Sequence, residues 1–307
     1  MKYTFVVNPK AGDKDNEKIV REEISKLSFK DDCVIYLTKG NKDATRYVKE
    51  YLDNHKGEEL VFVACGGDGT ISEVFNGVVG YDNVSVTCYP CGSGNDLVKT
   101  FGGEDKFKDL EKLLLSPSTK IDLLKVKDRY SVNVINFGFD TTVAIQVNED
   151  RDKTGKGSKS SYTKGIIKAI IKSMKNKFKV YADGELLNPE GVGLLCTIGN
   201  GQYVGGSFKC APRARVDDGL MEVCFVKTLS RFMLGSMIGT YTKGEHLDNE
   251  KMKKYIVYRQ ARKVKVEAPE GFAYSLDGEI IYDNDFEIEI VDKALNFKYI
   301  KWGIYGS

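Results

Sequence analysis

The sequence predicts two domains: an α/β domain built on a mostly parallel sheet, then a β-rich, antiparallel, sandwich-like domain. Residues 1–125 alternate strand-like apolar runs with helical periodicity, which is the pattern of β-α-β units. From about residue 126, apolar and polar residues alternate with period two instead, which is typical of antiparallel strands. The 307 residues, 41% of them apolar and 29% charged, are enough for two globular cores.

Strands and helices alternate through the first domain. The predicted elements are strands 3–8, 33–37, 60–64 and 84–88, helices 16–27, 44–54 and 71–79, and short helical stretches near 95–101 and 106–115. Ligands of such sheets bind beyond the carboxyl ends of the strands. We therefore expect Asn8, Thr38, Gly66 and Pro90 to converge.

The second domain is predicted to be mostly strands with a small helical part. The strands are 132–135, 178–182, 192–198, 220–226, 263–267, 274–276 and 286–291, and the only helical stretches are about 161–176 and 230–243. We expect the first domain to span 1–125, with 296–307 returning to it, and the second to span 126–295.

Composition limits the class of protein. The net charge of +2 gives no general indication of nucleic-acid binding, and no run of 18 apolar residues is present to form a transmembrane helix. The apolar run at the start is too short for a signal peptide, and the seven cysteines are scattered, so we expect a cytoplasmic protein with free thiols. Cys88 and Cys91 have C-x-x-C spacing, but no second pair exists, and we interpret them as structural thiols.

The most informative motif is Gly66-Gly67-Asp68-Gly69-Thr70, which lies between a predicted buried strand and a helix that continues through Ile71 and Ser72. Its glycines are expected to adopt positive φ and to turn the chain sharply. Such a turn exposes consecutive N–H groups next to the positive end of the helix dipole. The motif therefore predicts a phosphate site, although a tight turn without a ligand is the simpler alternative.

Two further loops follow strands of the same predicted sheet. Asn8-Pro9-Lys10-Ala11-Gly12 follows the first strand, and Gly92-Ser93-Gly94-Asn95-Asp96-Leu97 follows the fourth. Three donor-rich loops at one sheet edge suit a triphosphate, whose oxygens need many donors. Asp68 and Asp96 are candidates to hold Mg²⁺ directly or through water, because Mg²⁺ prefers one or two carboxylates together with phosphates.

These three motifs, in this order and spacing, resemble the diacylglycerol kinase catalytic domain of the bacterial lipid kinase family, which includes sphingosine and ceramide kinases. The resemblance covers essentially the whole chain. NAD kinases and phosphofructokinases share the G-G-D-G-T form and a similar nucleotide-binding fold, so the Gly92–Leu97 motif is the discriminating one. The resemblance implies a nucleotide-binding domain followed by a β-rich domain, with the active site in the cleft.

The resemblance also implies site residues. ATP contacts are expected from the loop 8–12, Thr38, the segment 66–72 and the residues Ser93, Gly94, Asn95 and Asp96. A magnesium site is implied at Arg215, Asp218 and Leu220, in which Arg215 and Leu220 serve through their carbonyl oxygens. A plain β-turn at Asp217-Asp218-Gly219 is the alternative for that segment.

Histidine is scarce, so a carboxylate base is expected for catalysis. Asp-Gly-Glu occurs at 183–185 and at 277–279, and both copies are compatible with hairpin turns. The family places its catalytic carboxylates in the second copy. We assign Glu279 as the proton acceptor and Asp277 as its close alternative, with Asp68 as a third candidate catalytic carboxylate, and we interpret the copy at 183 as a turn.

A basic stretch suggests contact with a membrane. Residues 151–179 hold ten basic residues against one acidic residue, Asp152. The predicted helix in 161–179 places Lys164, Lys168, Lys172 and Lys175 on one face and Ile166, Ile167, Ile170, Ile171 and Met174 on the other. We expect this face to bind an anionic membrane surface, although isoleucines packed on the β domain beneath a solvated basic face are an equal alternative.

The sequence therefore predicts an ATP- and Mg²⁺-dependent kinase that phosphorylates a lipid hydroxyl, with diacylglycerol as the first candidate. Another lipid (a sphingoid base, ceramide or phosphatidylglycerol) or NAD is an alternative acceptor. A nucleotide- or lipid-binding regulator without turnover is an alternative of a different class. We expect no nucleic-acid partner, peripheral association with the inner face of the membrane, and a possible homodimer formed through exposed strand edges.

Overall fold

The computed structural model describes residues 1–154 and 159–301, without the side chains of 151–154 and 159–163. The chain divides into two compact units. Unit 1 comprises Met1–Leu123 together with the chain from Asp292 onward, and unit 2 comprises Leu124–Val291. No helix of the described residues combines the length and apolar character needed to cross a bilayer.

Unit 1 alternates strands with helices, as the sequence predicts. Its elements are β1 (Lys2–Val7), α1 (Asn16–Ser25), β2 (Cys33–Leu37), α2 (Asp43–Asn54), β3 (Leu60–Gly66), α3 (Asp68–Val78), β4 (Val84–Pro90), α4 (Asp96–Thr100), α5 (Leu110–Leu115) and the first part of β5 (Ser118–Val126), with 3-10 turns at Lys30–Asp32 and Glu104–Phe107. Strand β1 pairs in parallel with β2 and β3, and β3 pairs in parallel with β4. All seven residues of β3 are buried, which explains why this strand carries no charge.

Unit 2 is mostly antiparallel. Its elements are the end of β5, β6 (Arg129–Ser131), β7 (Val134–Gly138), α6 (Phe139–Thr154), α7 (Lys159–Lys172), β8 (Asn176–Lys177), β9 (Lys179–Ala182), β10 (Glu185–Leu186), β11 (Val192–Gly193), β12 (Leu195–Gly199), β13 (Met221–Val226), α8 (Arg231–Lys243), α9 (Glu250–Lys253), β14 (Ile256–Ala261), β15 (Lys263–Glu267), β16 (Ala273–Leu276), β17 (Glu279–Tyr282) and most of β18 (Asp285–Lys298).

Two antiparallel layers form the sandwich of unit 2. One has the strand order β14-β13-β12-β7-β16-β17, and the other has the order β10-β9-β15-β18. Their apolar side chains share one core, in which Phe137 meets Phe178 and Phe286 edge to face. The predicted fold class, an α/β domain followed by a β-rich antiparallel domain, is confirmed.

Helix α6 corrects the prediction that only two helical stretches interrupt the second domain. Its first turns carry β-branched residues, which favour a strand pattern. The helix is held by packing instead, because a Cβ on Gly165 of α7 would lie 2.9 Å from the carbonyl oxygen of Val143 on α6. A glycine at this crossing lets the two helices approach closely.

Strand β18 belongs to both units. Its first half pairs with β15 in unit 2. Its last residues belong to unit 1, where Asn296 and Phe297 pair in parallel with Ser85 and Val86 of β4. Phe297 packs against Phe75, Phe101 and Phe107 in the core of that unit. Residues 302–307 of the segment expected to return lie outside the described residues.

Candidate active site

The loop after β1 is tied to two helices by asparagine side chains. Asn8 Nδ2 donates to Thr70 Oγ1 on α3 at 3.1 Å, and Asn8 Oδ1 accepts from the Lys10 amide at 3.0 Å. Asn16 Nδ2, on α1, donates to the carbonyls of Asn8 at 3.0 Å and Ala11 at 2.6 Å. Pro9 and Lys10 are exposed at the tip of this loop. Asn16 lies outside the predicted motifs, and its position at the start of a helix is the only signal for it in the sequence.

The loop after β4 packs directly on the loop after β3 through two glycines. The Cys91 amide donates to the Gly66 carbonyl at 2.9 Å. A Cβ on Gly92 would overlap the Cα of Gly67, so only glycine allows this approach. Gly12, at φ 67°, would likewise place a Cβ against the Cys91 carbonyl oxygen. The three predicted loops therefore meet at one edge of the unit 1 sheet.

The role predicted for the Gly66–Thr70 glycines is wrong in one respect. None of Gly66, Gly67 and Gly69 has positive φ. Helix α3 begins at Asp68 rather than near Thr70, with Gly67 extended and the Ile71 amide donating to the Gly67 carbonyl at 3.1 Å. Gly66 and Gly67 serve close approach instead of a left-handed turn, because a Cβ on Gly66 would overlap Thr70 and a Cβ on Gly67 would crowd Gly92.

The amino end of α3 suits a phosphate group. Gly67 is the N-cap residue of the helix and has no side chain with which to cap it. The first N–H groups of a helix have no intrahelical partners, and they lie at the positive end of its dipole. A Cβ on Gly69 would meet no described atom within 4 Å, so the approach is open. The Ile71 side chain is buried in the core, which leaves only its backbone for a ligand.

Two aspartates converge beside this helix end. The Asp96 amide donates to Asp68 Oδ1 at 2.6 Å. A Cβ on Gly94 would lie 2.6 Å from Asp68 Oδ2 and 3.8 Å from Asp96 Oδ2, so both carboxylates border the space that this glycine leaves. Lys99 Nζ, one turn after Asp96, contacts Asp96 Oδ1 at 3.0 Å and the Gly94 carbonyl at 2.6 Å. The arrangement suits a magnesium-bound polyphosphate.

Asn95 shapes the loop that carries these residues. It adopts a left-handed conformation with φ 50°, and its side chain bonds both the amide and the carbonyl of Gly92. Its Nδ2 also donates to Glu104 at 2.8 Å. Ser93 is exposed at the tip of the loop. Lys99 and Glu104 are not among the predicted site residues, since neither lies in the Gly92–Leu97 motif.

Thr38 lies at the carboxyl end of β2, where its amide donates to the Val7 carbonyl at 2.9 Å. Its position at the same sheet edge agrees with the expectation from topology.

Cys88 and Cys91 carry free thiols, and burial raises the pKa of the Cys91 thiol to about 11. That pKa favours the structural interpretation over a redox pair.

Asp277 and Glu279, in unit 2, have different surroundings. The Asp277 carboxylate accepts from Ser131 Oγ at 2.6 Å and from three backbone amides at 3.0–3.2 Å, those of Val132, Asn133 and Val134. Burial raises the pKa of Asp277, and these bonds oppose the shift. Glu279 is half-exposed and pairs with Arg129. Asp277 thus holds the chain before β7, whereas Glu279 faces solvent.

The segment predicted to bind metal is a turn before β13, also in unit 2. Asp218 Oδ1 accepts from the Leu220 amide at 3.1 Å, and Gly219 at φ 71° completes the turn. Burial raises the pKa of both Asp218 and Glu222, and each carboxylate is near another acidic group. Oε2 of Glu222 is buried and has no hydrogen-bond partner among the described residues. A cation at this turn would offset that negative charge.

Arg215 lies beside this turn, where its guanidinium contacts Asp217 at 3.5 Å. No cluster of three or more His, Cys, Asp or Glu side chains in the described parts of the chain is arranged to hold a metal ion. The magnesium ligands implied by the family resemblance would not form such a cluster, because they combine the backbone carbonyls of Arg215 and Leu220 with the single carboxylate of Asp218.

The predicted basic helix needs three corrections. It ends at Lys172 rather than continuing to 179, because Asn176 bonds the Ser173 carbonyl and pairs with Gly193 in a short ladder. Lys164 and Lys168 lie near Asp150 and Glu149 of α6, at 3.7 and 3.5 Å, so part of their charge is compensated. The side chains of Arg151, Lys153, Lys156, Lys159 and Tyr162 lie outside those described.

The third correction concerns the isoleucines of α7. Ile166, Ile170 and Met174 pack partly against an apolar cluster of unit 2, but Ile167 and Ile171 are exposed among the lysines. The small residues Gly165 and Ala169 of this helix are buried, as is Ser173 just after it. Because Gly165 allows close packing on α6, the small residues take the buried side of α7. The predicted separation into a lysine face and a buried isoleucine face is therefore not observed.

Comparison with known proteins agrees with this architecture. The family model of the diacylglycerol kinase catalytic domain matches residues 2–126, and that of the YegS C-terminal NAD kinase beta sandwich-like domain matches residues 133–298. The diacylglycerol kinase of Bacillus subtilis (strain 168) is 30% identical over 77% of this chain and 76% of its own. A protein of Alcanivorax borkumensis named "Probable lipid kinase YegS-like" is 28% identical over 92% and 91%.

A crystal structure of a diacylglycerol kinase from Bacillus anthracis str. Sterne superposes with a TM-score of 0.74, covering 97% of both chains at 23% identity. At 23% identity, this structural similarity establishes the fold alone. The family models and the sequence relatives show more, because together they span nearly the whole chain. The chain therefore belongs to the bacterial diacylglycerol kinase and YegS lipid kinase family, and it is a phosphotransferase of that family.

Proposed function

We propose that this lipid kinase transfers the γ-phosphoryl group of ATP to the hydroxyl of diacylglycerol, yielding phosphatidic acid, and that it does so with Mg²⁺ at the inner face of the membrane. The observation that carries the proposal is the convergence of the three loops at the amino end of α3, where glycines 12, 67 and 92 let the loop backbones pack directly against one another. Names among the relatives include both diacylglycerol kinase and lipid kinase, which supports diacylglycerol as the first candidate acceptor.

The polyphosphate would lie on the amides at the start of α3, with Asn8 and Thr70 holding the loop beneath it. Lys10 and Ser93, at the exposed tips of their loops, supply further donors. Bound magnesium would neutralise phosphate charge, and the carboxylates of Asp68 and Asp96 that converge at Gly94 are the residues that would hold it.

Glu279 is the proposed proton acceptor. As the acceptor hydroxyl oxygen bonds to the γ-phosphorus, its proton passes to the Glu279 carboxylate. The bond between the γ-phosphorus and the bridging oxygen breaks, and ADP leaves. The half-exposed carboxylate of Glu279 is reachable by a substrate, whereas the oxygens of Asp277 are engaged by four protein donors.

The experiment is transfer of labelled phosphate from ATP with Mg²⁺ to a panel of acceptors in mixed micelles: diacylglycerol, monoacylglycerol, sphingosine, ceramide, phosphatidylglycerol and NAD. Labelled phosphatidic acid is the expected product. Label in another lipid alone would replace diacylglycerol as the acceptor. Label in NAD alone would contradict the lipid acceptor, and ATP binding without transfer to any acceptor would favour a regulator.

A further inference from the structure

Unit 2 exposes three large apolar side chains at one corner. Phe232, the second residue of α8, is 87% exposed, and Ile171 and Ile167 of α7 are 64% and 54% exposed. Arg231 joins the two helices, since its Nε donates to the Ile170 carbonyl at 2.9 Å and its Nη2 to the Ile171 carbonyl at 3.5 Å. We call Ile167, Ile171 and Phe232 the apolar corner.

The exposure of this corner follows from how its helices pack. Helix α7 turns its small residues toward α6, which leaves Ile167 and Ile171 outside. In α8 the core side is occupied by Met237 and Leu234, so Phe232 projects from the first turn. Clustered exposed apolar groups are unfavourable in water and mark surfaces that bind a partner or a membrane.

The charge around the corner identifies the kind of partner. Lys164, Lys172 and Lys175 are exposed on or just after α7, and Arg231 and Lys168 complete the rim. The acidic groups opposing them are Glu149 and Asp150 of α6, which lie near Lys168 and Lys164. Five basic groups against two acidic ones, counted over the described side chains, favour an anionic partner. Apolar side chains within such a rim are typical of protein elements at the surface of a bilayer.

We propose that the apolar corner inserts into the interface of an anionic bilayer, with Phe232 and Ile171 below the lipid phosphates and the lysines at their level. The proposal deepens the proposed function, because a lipid acceptor brings the protein to a bilayer. It differs from adsorption by a basic helix in the source of affinity. Attraction by lysines alone disappears in high salt, whereas buried apolar side chains retain affinity there.

Sedimentation with sucrose-loaded vesicles of phosphatidylcholine, with and without phosphatidylglycerol, tests the proposal. We expect binding to the anionic vesicles that persists in part at about 0.5 M salt. The double variant Phe232→Ser, Ile171→Ser should lower the partition coefficient at least about tenfold. Leu115→Ser, which removes an apolar side chain with 62% exposure in unit 1, is the matched control and should bind like the wild type.

A fluorescence experiment reports insertion directly. Phe232→Trp is made in a chain whose single tryptophan, Trp302, is replaced by phenylalanine. Anionic vesicles should shift its emission to shorter wavelength, and brominated lipids should quench it. Unchanged emission on vesicles that bind the protein would overturn the proposal. Normal vesicle binding by the double variant would also overturn the proposal. This holds even if the two substitutions convert a dimer into a monomer, because the corner would then be a contact between two copies of the chain.

The proposed function is tested separately, with a short-chain diacylglycerol dispersed without a bilayer. If no lipid is phosphorylated but the double variant loses vesicle binding, the proposed function fails and the apolar corner stands. If the double variant phosphorylates the short-chain lipid normally and also binds vesicles normally, the corner fails and the proposed function stands.

Discussion

Asp183 and Asp277 hold equivalent places in two Asp-Gly-Glu hairpins of unit 2. Each has positive φ, 46° and 48°, and is followed by a glycine of positive φ. The carboxylate of Asp183 accepts from the amides of Arg262 and Lys263, as that of Asp277 accepts from Val132, Asn133 and Val134. The glutamates that follow pair with Arg259 and Arg129. The recurrence indicates that both aspartates have a structural role in holding the neighbouring backbone.

Asp277→Asn is accordingly expected to act on stability. Its amide NH₂ would face an N–H or O–H donor in place of a carboxylate oxygen, which leaves donors unsatisfied in a buried position. We expect the free energy of unfolding to fall by about 2 kcal/mol or more, while kcat per folded molecule changes little. Thermal unfolding and an active-fraction assay measure the two effects. Asp183→Asn, at the exposed copy, should show the same kind of loss at about 1 kcal/mol.

Glu279→Gln should show the opposite behaviour. The side chain is half-exposed and its pair with Arg129 is a surface ion pair, so the melting temperature should shift by no more than a few degrees. Loss of the proton acceptor should lower kcat by about 10²- to 10⁴-fold, with little change in ATP affinity. Glu185→Gln, in the first hairpin, is the matched control with normal turnover expected. Normal turnover in Glu279→Gln would remove it from the reaction.

Gly92→Ala tests the packing of the phosphate loops. The added methyl group would overlap the Cα of Gly67 and approach Asn95 Oδ1 to 2.9 Å, so both loops must shift. We expect the affinity for a non-hydrolysable ATP analogue, measured by calorimetry, to fall at least about tenfold. Gly40→Ala, where a Cβ meets no described atom within 4 Å, should bind normally. Equal affinities of the two variants would mean that the loops are not the nucleotide site.

The turn at Asp218 provides a test of metal binding that does not depend on turnover. If Mg²⁺ binds there, it stabilises the folded state in proportion to its saturation, and the melting temperature should rise with Mg²⁺ concentration. Asp218→Asn should abolish most of that rise, because it removes the only carboxylate of the implied set. Asp217→Asn, the neighbour whose carboxylate contacts Arg215, is the control. A rise that Asp218→Asn leaves intact would place the metal elsewhere.

Stability should depend on pH through Asp140. Its Oδ2 is buried without a hydrogen-bond partner in the described parts of the chain, and burial raises the pKa of Asp140 to about 7. The folded state therefore binds this proton more tightly than the unfolded chain does. The resulting stability is complete below the unfolded pKa of about 4 and is lost as pH rises to about 7.

Asp140→Asn removes this dependence, because the amide has no charge to bury. The free energy of unfolding of the variant should rise relative to that of the wild type between pH 4 and pH 7, and the difference should reach up to about 4 kcal/mol at alkaline pH. Melting temperatures across this range measure the difference. Asp82→Asn, at a fully exposed aspartate, should give a curve parallel to the wild type. A parallel curve for Asp140→Asn would contradict the burial argument.

Most of unit 1 could be predicted from the sequence because its elements are locally determined. The run Leu60–Gly66 is uncharged and becomes a fully buried strand, and Asp15 caps α1 by accepting from the Lys18 amide. Helix α6 could not be predicted, because its stability comes from tertiary contact of Val143 with Gly165 rather than from its own residues. The exposure of Ile167 could not be predicted either, because it depends on the packing of α7 against α6.

Some features of the candidate site could likewise be predicted from the sequence, whereas others depend on tertiary contacts. Its motifs are visible in the sequence, because Gly, Asp and Asn recur where a phosphate loop needs them. The Gly67–Gly92 contact and the hydrogen bond from the Asp96 amide to Asp68 Oδ1 join residues that lie far apart in the chain. No local pattern predicts such contacts. The difference between Asp277 and Glu279 likewise appears only once the donors around Asp277 are in place.

The last strand of the fold has a consequence for synthesis on the ribosome. Phe297 of β18 fills the aromatic core of unit 1, between residues translated about 190 to 220 positions earlier, such as Phe107 and Phe75. The nascent unit 1 therefore cannot complete its core until unit 2 has been translated and β18 has left the exit tunnel. Folding of unit 1 is delayed until β18 has been synthesised, and a fragment that stops at residue 126 would expose this core to aggregation or chaperones.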